Sequence, residues 1–221
     1  MPPALTSSPL FKGIEQSAMK AILGAAELRH ISAKGNITNG GDEATHLFLV
    51  QEGEAHYYHL TRQGDSILLA WLAPGDVIGL VSMLEPRSSY MASADATSDC
   101  ELLAWKRSVL GKLVSRHPVL AANGLRIALG YLRSYVGRHI GLLTKTAEER
   151  LAEALLRLID RSSEIVSDGV EIRATNDELA GLSDTSPFTA SRVLSNWERA
   201  GVLSKKRGRV VLKSPESLIV G

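Results

Sequence analysis

A single cysteine, Cys100, stands among 221 residues. The chain therefore cannot close a disulfide on itself, hold a four-cysteine iron–sulfur cluster or build a one-chain thiolate zinc site. Cys100 is expected to be a buried strand residue. Excess charge of one sign is lacking too: 25 basic and 24 acidic side chains leave a formal net charge of +1, which excludes a general polyanion binder. No apolar run approaches the roughly 18 residues of a membrane span. The opening Met-Pro-Pro-Ala-Leu-Thr-Ser-Ser-Pro also lacks a basic region followed by an apolar core. A cytoplasmic protein with no membrane partner is expected. Paired acids and bases, a nucleophile elbow, a metal-ligand cluster and a Walker loop are all missing, so neither an enzyme nor a metal site is expected.

The charge that is present is uneven. Residues 1–118 hold 10 basic and 12 acidic side chains, whereas 170–221 hold 8 and 6. In that basic tail, Asn176 or Thr175 can cap a short helix whose apolar side is Leu179, Ala180 and Leu182. A turn near Gly181 to Thr185 follows. Ser186 then caps a second helix with Pro187 at its first position, where a missing N–H does no harm. Ala190, Val193, Leu194 and Trp197 recur at helical spacing and form one buried face. Phe188, Thr189, Ser191, Arg192, Ser195, Asn196 and Arg199 are left to the other side. Such a face suits a major groove, where Arg reads guanine, Asn reads adenine and an apolar ring meets a thymine methyl.

Gly201 ends that helix. Val202–Leu203 and Val210–Leu212 flank Ser-Lys-Lys-Arg-Gly-Arg, a hairpin signal with a charged tip. Lys205, Lys206, Arg207, Arg209 and Lys213 lie in this stretch with no acidic residue. Alone, it reads equally well as a solvated basic loop; joined to the two helices, it reads as the wing of a winged helix-turn-helix on double-stranded DNA.

Toward the N terminus, residues 15–28 read as a helix burying Met19, Ile22 and Leu23. Leu47–Val50, Ala55–Leu60, Ile67–Leu72, Val77–Leu80 and Cys100–Trp105 are short runs split by turn residues, the pattern of a compact β barrel or roll. Helical periodicity returns at Ser108 and breaks at His117-Pro118. Leu125, Leu129, Leu132, Val136, His139 or Ile140, and Leu143 then trace the seam of a coiled coil. Its partner is either a second copy of the chain or its own barrel; the homodimer is expected, since it would present two recognition helices to a palindrome. Thr144-Lys145-Thr146 is the expected hinge, pivoting around Leu142 to Ala147. Thr146 and Glu149 make a capping-box pattern for a helix over 147–162.

This order of parts resembles the Crp/Fnr family of bacterial transcription regulators over nearly the whole chain. The resemblance rests on Pro74-Gly75-Asp76-Val77-Ile78-Gly79, Arg87-Ser88-Ser89 and, most specifically, Thr189-Ala190-Ser191-Arg192-Val193-Leu194 followed by Glu198, Gly201 and Leu203. It implies an α+β fold: a double-stranded β-helix, jelly-roll-like domain over 1–118, a dimerisation helix over 119–143 and a winged helix-turn-helix over 144–221. It also implies RNA polymerase as a partner. In cyclic-nucleotide-binding members an effector pocket would fall on Gly79, Leu80, Arg87, Ser88, Ser89 and, on the dimer helix, Ser134. Gly79, Arg87 and Ser88 keep that pattern. Leu80 replaces the acidic residue that would take the ribose 2′-hydroxyl, and leaving that hydroxyl buried and unpaired would cost on the order of 1–3 kcal/mol. The effector thus stays unknown: a cyclic nucleotide is one candidate, an iron–sulfur cluster lacks its cysteines, and haem is disfavoured because Val77–Leu84 holds no histidine. The expected function is a homodimeric DNA-binding regulator. The alternative is a cyclic-nucleotide-binding signalling module without DNA activity.

Overall fold

A computed structural model describes residues 8–85, 87–159 and 163–218. They form two compact units dividing between Ser134 and Tyr135. In the first, β1 (Glu27–Ile31), β8 (Cys100–Lys106), β3 (His46–Glu52) and β6 (Val77–Ile78) make one antiparallel sheet. The strands β2 (Asn36–Thr38), β7 (Ser93–Ala96), β4 (Ala55–Leu60) and β5 (Ser66–Leu72) make a second. Alternation along each strand divides the apolar residues between two cores. Phe48, Val50, Leu102 and Ala104 of the first sheet meet Ala55, Leu72, Ala94 and Ala96 of the second inside the roll. Cys100 joins them, its thiol bonded to the Glu54 carbonyl at 3.1 Å and pushed up in pKa chiefly by burial.

Leu47, Leu49, Leu103 and Trp105 project from the other face of the first sheet. They are covered by α1 (Gln16–Gly24), α3 (Arg107–Arg116) and the start of α4 (Val119–Thr144) through Ile22, Leu110, Leu113 and Leu120. Polar atoms pin this layer. The Trp105 indole donates to the Ile22 carbonyl at 2.8 Å, and the buried Asn123 amide donates to the carbonyls of Leu10 and Lys12 at 2.9 and 2.8 Å.

Two sequence expectations need correction here. The helix expected over 15–28 ends at Gly24, because Glu27–Ile31 pairs residue for residue with β8. The strand expected over Val77–Leu80 stops at Ile78. Gly79 takes φ +79°, where a Cβ would meet the His46 carbonyl oxygen at 2.6 Å, and Leu80 turns into the one-turn helix α2 (Val81–Leu84). The strands β2 and β7 went unforeseen. The break at His117-Pro118 is as expected.

In the second unit, α5 (Ala147–Ile159) buries Leu151, Ala154, Leu155 and Leu158. Its predicted end at 162 lies outside the described residues. The Thr146–Glu149 capping box forms, with the Thr146 N–H donating to Glu149 at 2.6 Å and the Glu149 N–H donating to the Thr146 hydroxyl at 3.2 Å. The Thr146 N–H and hydroxyl, both donating to the Glu149 carboxylate, lower its pKa. A second hairpin, β9 (Ser163–Val166) and β10 (Gly169–Ile172), extends the sheet made by β11 (Leu203–Lys206) and β12 (Arg209–Leu212). Among the described residues no helix is long and apolar enough to cross a membrane.

A pH-sensitive contact sits on β3. Arg29 can only donate, so its 2.9 Å contact makes His46 Nε2 an acceptor and leaves Nδ1 to face the Thr45 hydroxyl at 2.8 Å. Burial, then Arg29, lowers the His46 pKa below 6.5, with Glu27 opposing. The unfolded chain therefore binds this proton more readily, and stability should fall as pH drops through about 6.5 and below. Urea midpoints measured from pH 7.5 to 5 should decline more steeply for the wild type than for His46→Gln. Parallel curves would refute the assignment.

Candidate nucleic-acid interface and effector site

The helix-turn-helix is built from local rules. Thr175, one of the two expected caps, begins α6 (Asn176–Leu182): its hydroxyl accepts from the Glu178 N–H at 3.3 Å, and the Glu178 carboxylate accepts from the Thr175 N–H at 2.6 Å. Leu179, Ala180 and Leu182 are buried. The Ser186 hydroxyl accepts from the Thr189 N–H at 3.1 Å and starts α7 (Pro187–Arg199) with Pro187 in its first turn. Ala190, Val193, Leu194 and Trp197 are the buried face, and the Trp197 indole donates to Glu148 of α5 at 2.8 Å. That leaves Phe188, Arg192 and Asn196 exposed, with Thr189 and Ser191 half-buried. Phe188, a large apolar ring, is 79% exposed.

Hydrogen bonds sort these polar groups further. Arg199 donates to Asn196 Oδ1 at 2.5 Å. That engages Asn196's carbonyl oxygen and leaves its amide hydrogens to be offered outward. The Ser195 hydroxyl donates to the Ser191 carbonyl at 2.8 Å and receives Lys205 Nζ at 2.8 Å.

The sequence treats Lys205, Lys206, Arg207 and Arg209 as equal members of a basic wing, but the structure divides them. Glu198 of α7 accepts from the Lys205 backbone N–H at 2.9 Å and faces its ammonium at 3.6 Å, tying β11 to the recognition helix. Arg209 lies 3.3 Å from Glu171, whose side chain is only 8% exposed. Lys206 and Arg207 stand exposed at the tip, where the Arg207-Gly208 turn closes with Gly208 at φ +71°. Sequence reasoning missed Glu171 altogether and saw Glu198 only as part of the motif, not as the anchor of Lys205. An acidic residue on β10 gives no sequence signal that it faces a wing arginine 38 positions later.

In the roll, Gly79, Leu80 and Ser88 gather around α2. The Ser88 hydroxyl donates to the carbonyls of Val81 and Glu85 at 3.2 and 2.9 Å. Arg87 is exposed with φ +57°, and Ser89 pairs with Glu43 as an isolated bridge. Leu80 packs against the apolar core beneath the helices. Ser134 is exposed on α4, with no hydrogen bond to these residues among those described. The anion half of a cyclic-nucleotide site is therefore represented by Gly79, Arg87 and Ser88. The ribose half is not: the half-buried Leu80 offers no acceptor, so the residues present do not fit a ribose cyclic phosphate. Along α4, Leu125, Leu129, Leu132, Val136, Ile140 and Leu143 are 45–76% exposed, an apolar stripe along a single helix.

Residues 28–117 match the cyclic nucleotide-binding domain family, and 149–219 match the Crp-like helix-turn-helix domain. The cyclic AMP receptor protein of Thermus thermophilus is 31% identical over 210 residues, 95% of this chain and 94% of that protein. The chain belongs to the Crp/Fnr family of transcription regulators. Within that family, the nitrogen fixation regulation protein FixK of Azorhizobium caulinodans is 27% identical over 96% of this chain and 87% of its own length. FixK2 of Bradyrhizobium japonicum is a structural neighbour with TM-score 0.75 and 26% identity, covering 88% of this chain and 96% of that one. The c-di-GMP responsive regulator CLP of Xanthomonas campestris shares the fold at TM-score 0.78 and 19% identity, over 90% of this chain and all of that one. Like its relatives, this Crp/Fnr protein is a DNA-binding regulator with a helix-turn-helix domain.

The division of the wing has a measurable consequence. Replacing a cation that neutralises a phosphate should lower the slope of log affinity against log salt by about one. Arg207→Ala and Lys206→Ala should each do so in operator titrations from 50 to 300 mM salt. Lys205→Ala should leave the slope unchanged, because its ammonium is engaged within the protein. Equal slopes for all three variants would refute the division.

Proposed function

We propose that the protein acts as a homodimer on a palindromic operator, each α7 entering a major groove and each wing tip lying on the adjacent backbone. The observation that carries this reading is the exposed face of α7, where Phe188, Arg192 and Asn196 stand opposite a fully buried one. Ser186, Pro187, Thr189 and Ser191 frame its N-terminal end, and Lys206 and Arg207 supply free cations beside it, with Arg209 partly engaged by Glu171. In a symmetric dimer the two helices would fall one duplex turn apart, about 34 Å. The apolar stripe from Leu125 to Leu143 supports α4 as the dimer seam, since an exposed heptad-like row gains most by pairing with its own copy.

Arg192 is the bidentate reader of a guanine, and Phe188 favours a thymine methyl. Asn196 offers its amide hydrogens to a base or phosphate acceptor. A transcription regulator of this build works in the cytoplasm with RNA polymerase as its second partner. The roll is set apart from the cyclic AMP receptor proteins by Leu80, so operator binding should proceed without cyclic AMP.

Selection from a randomised palindromic library, with and without cyclic AMP, followed by fluorescence anisotropy on the selected operator, tests this. Arg192→Ala should cost about 1–3 kcal/mol of discrimination at one base pair in each half-site. Phe188→Ala should relax the preference at a neighbouring thymine. An Arg192→Ala protein that still discriminates among operators as the wild type does would sink the reading.

A further inference from the structure

Three arginines converge on the residues joining the helices of the helix-turn-helix. Arg138 of α4 grips the Asp184 carboxylate through Nε at 3.0 Å and Nη2 at 2.6 Å, and reaches the Gly181 carbonyl at 3.3 Å. Arg150 of α5 donates to the carbonyls of Ser183 and Asp184 at 3.0 and 3.2 Å, and Arg157 to that of Leu182 at 3.3 Å. Every carbonyl from Gly181 to Asp184 is thus held by a guanidinium, at a helix C-terminus where cations are favoured. Asp184 has φ +51°, a conformation few residues without glycine's freedom adopt, and Ser186 caps the recognition helix two residues later. Its ion pair is sheltered, with side-chain exposures of 17% and 24%.

Arg150 also donates to the Lys145 carbonyl at 2.7 Å, so both ends of the link between α4 and α5 are fastened. Rotation at Lys145-Thr146 would break this bond and the two-point grip of Arg138, which lies less than two turns before the end of α4. A bidentate pair fixes angle as well as distance.

We propose that Arg138 and Asp184 form a latch that makes the last turns of α4 and the recognition helix one body. Arg138 is then a positioning residue for operator binding, acting through the turn rather than touching DNA. While the latch is closed, flexure falls N-terminal to Arg138 instead of at Thr144–Thr146. The effect on operator binding rests on the DNA-binding reading above; the latch itself does not.

The test uses the full chain with Asp184→Asn, Asp184→Gly, Arg138→Gln and the double variant Arg138→Gln/Asp184→Asn. Asparagine and glycine both tolerate the left-handed turn, so they remove the carboxylate without straining the backbone. Amide exchange over residues 183–186, measured without DNA, should rise about tenfold in each single variant and no further in the double one. On operators whose half-sites are at the selected spacing or one base pair closer or farther, each single variant should lose about tenfold at the selected spacing. Loss at the other two should stay below threefold, flattening the preference. Exchange and spacing preference both unchanged in Asp184→Gly would overturn the latch, leaving the turn's geometry as the sole determinant. Raised exchange in proteins that, wild type included, bind no operator would uphold the latch and overturn the DNA-binding reading instead.

Discussion

The recognition helix has one circumference and must use half of it to stay in place. Ala190, Val193, Leu194 and Trp197 bury that half, and fully burying a large apolar side chain contributes about 1.5–3 kcal/mol. A rotation of one residue, about 100°, would expose most of this face and place Arg192 against the core. The side chains that meet DNA are therefore chosen by the ones that cannot. Trp197 makes the choice stricter, because its indole N–H must also keep the Glu148 carboxylate on α5. Everything downstream, the aim of Phe188, the separation of Arg192 from Asn196 and the place of the wing beside them, inherits its geometry from that buried stripe.

Acidic residues do the next level of sorting. Glu198 fastens Lys205, Glu171 holds Arg209, and Asp184 holds Arg138. A charge count along the sequence sees a basic tail; the folded unit presents fewer free cations, in chosen places. This fits a formal net charge of only +1. Non-specific attraction to phosphate grows with the number of unpaired cations, whereas specificity depends on where a few of them point.

The parts of this structure written in local patterns were legible in the sequence. Caps at Thr146, Thr175 and Ser186, the buried stripe of α7, the break before Pro118 and the wing hairpin all depend on residues within a few positions of one another. What was illegible depends on partners far away. Glu27–Ile31 is a strand because β8 lies beside it, although its composition continues a helical stretch. Val77–Leu80 reads as one run, yet the close approach of Gly79 to His46 and Tyr90 turns the backbone after Ile78. At the candidate interface the outward residues were foreseen, but the differing fates of four wing cations were not, because the carboxylates that engage two of them, Glu198 on α7 and Glu171 on β10, come from other elements.

The same distinction separates family from effector. The helix-turn-helix is specified by the packing of its own helices, so its motif identifies the class. The roll is specified by a filled apolar interior and tight turns that hold whether or not a ligand binds. Gly79 keeps its place because a Cβ would strike the His46 carbonyl oxygen and the Tyr90 ring, and Ser88 because its hydroxyl braces α2. Each has a structural reason to be there whether or not a nucleotide binds. Leu80 has no such double role: half-buried, it packs against the apolar core beneath the helices, where a carboxylate would lose part of its hydration. Gly79 and Ser88 are thus weak evidence for a ligand, whereas a leucine at position 80 removes the acceptor that a ribose hydroxyl would need.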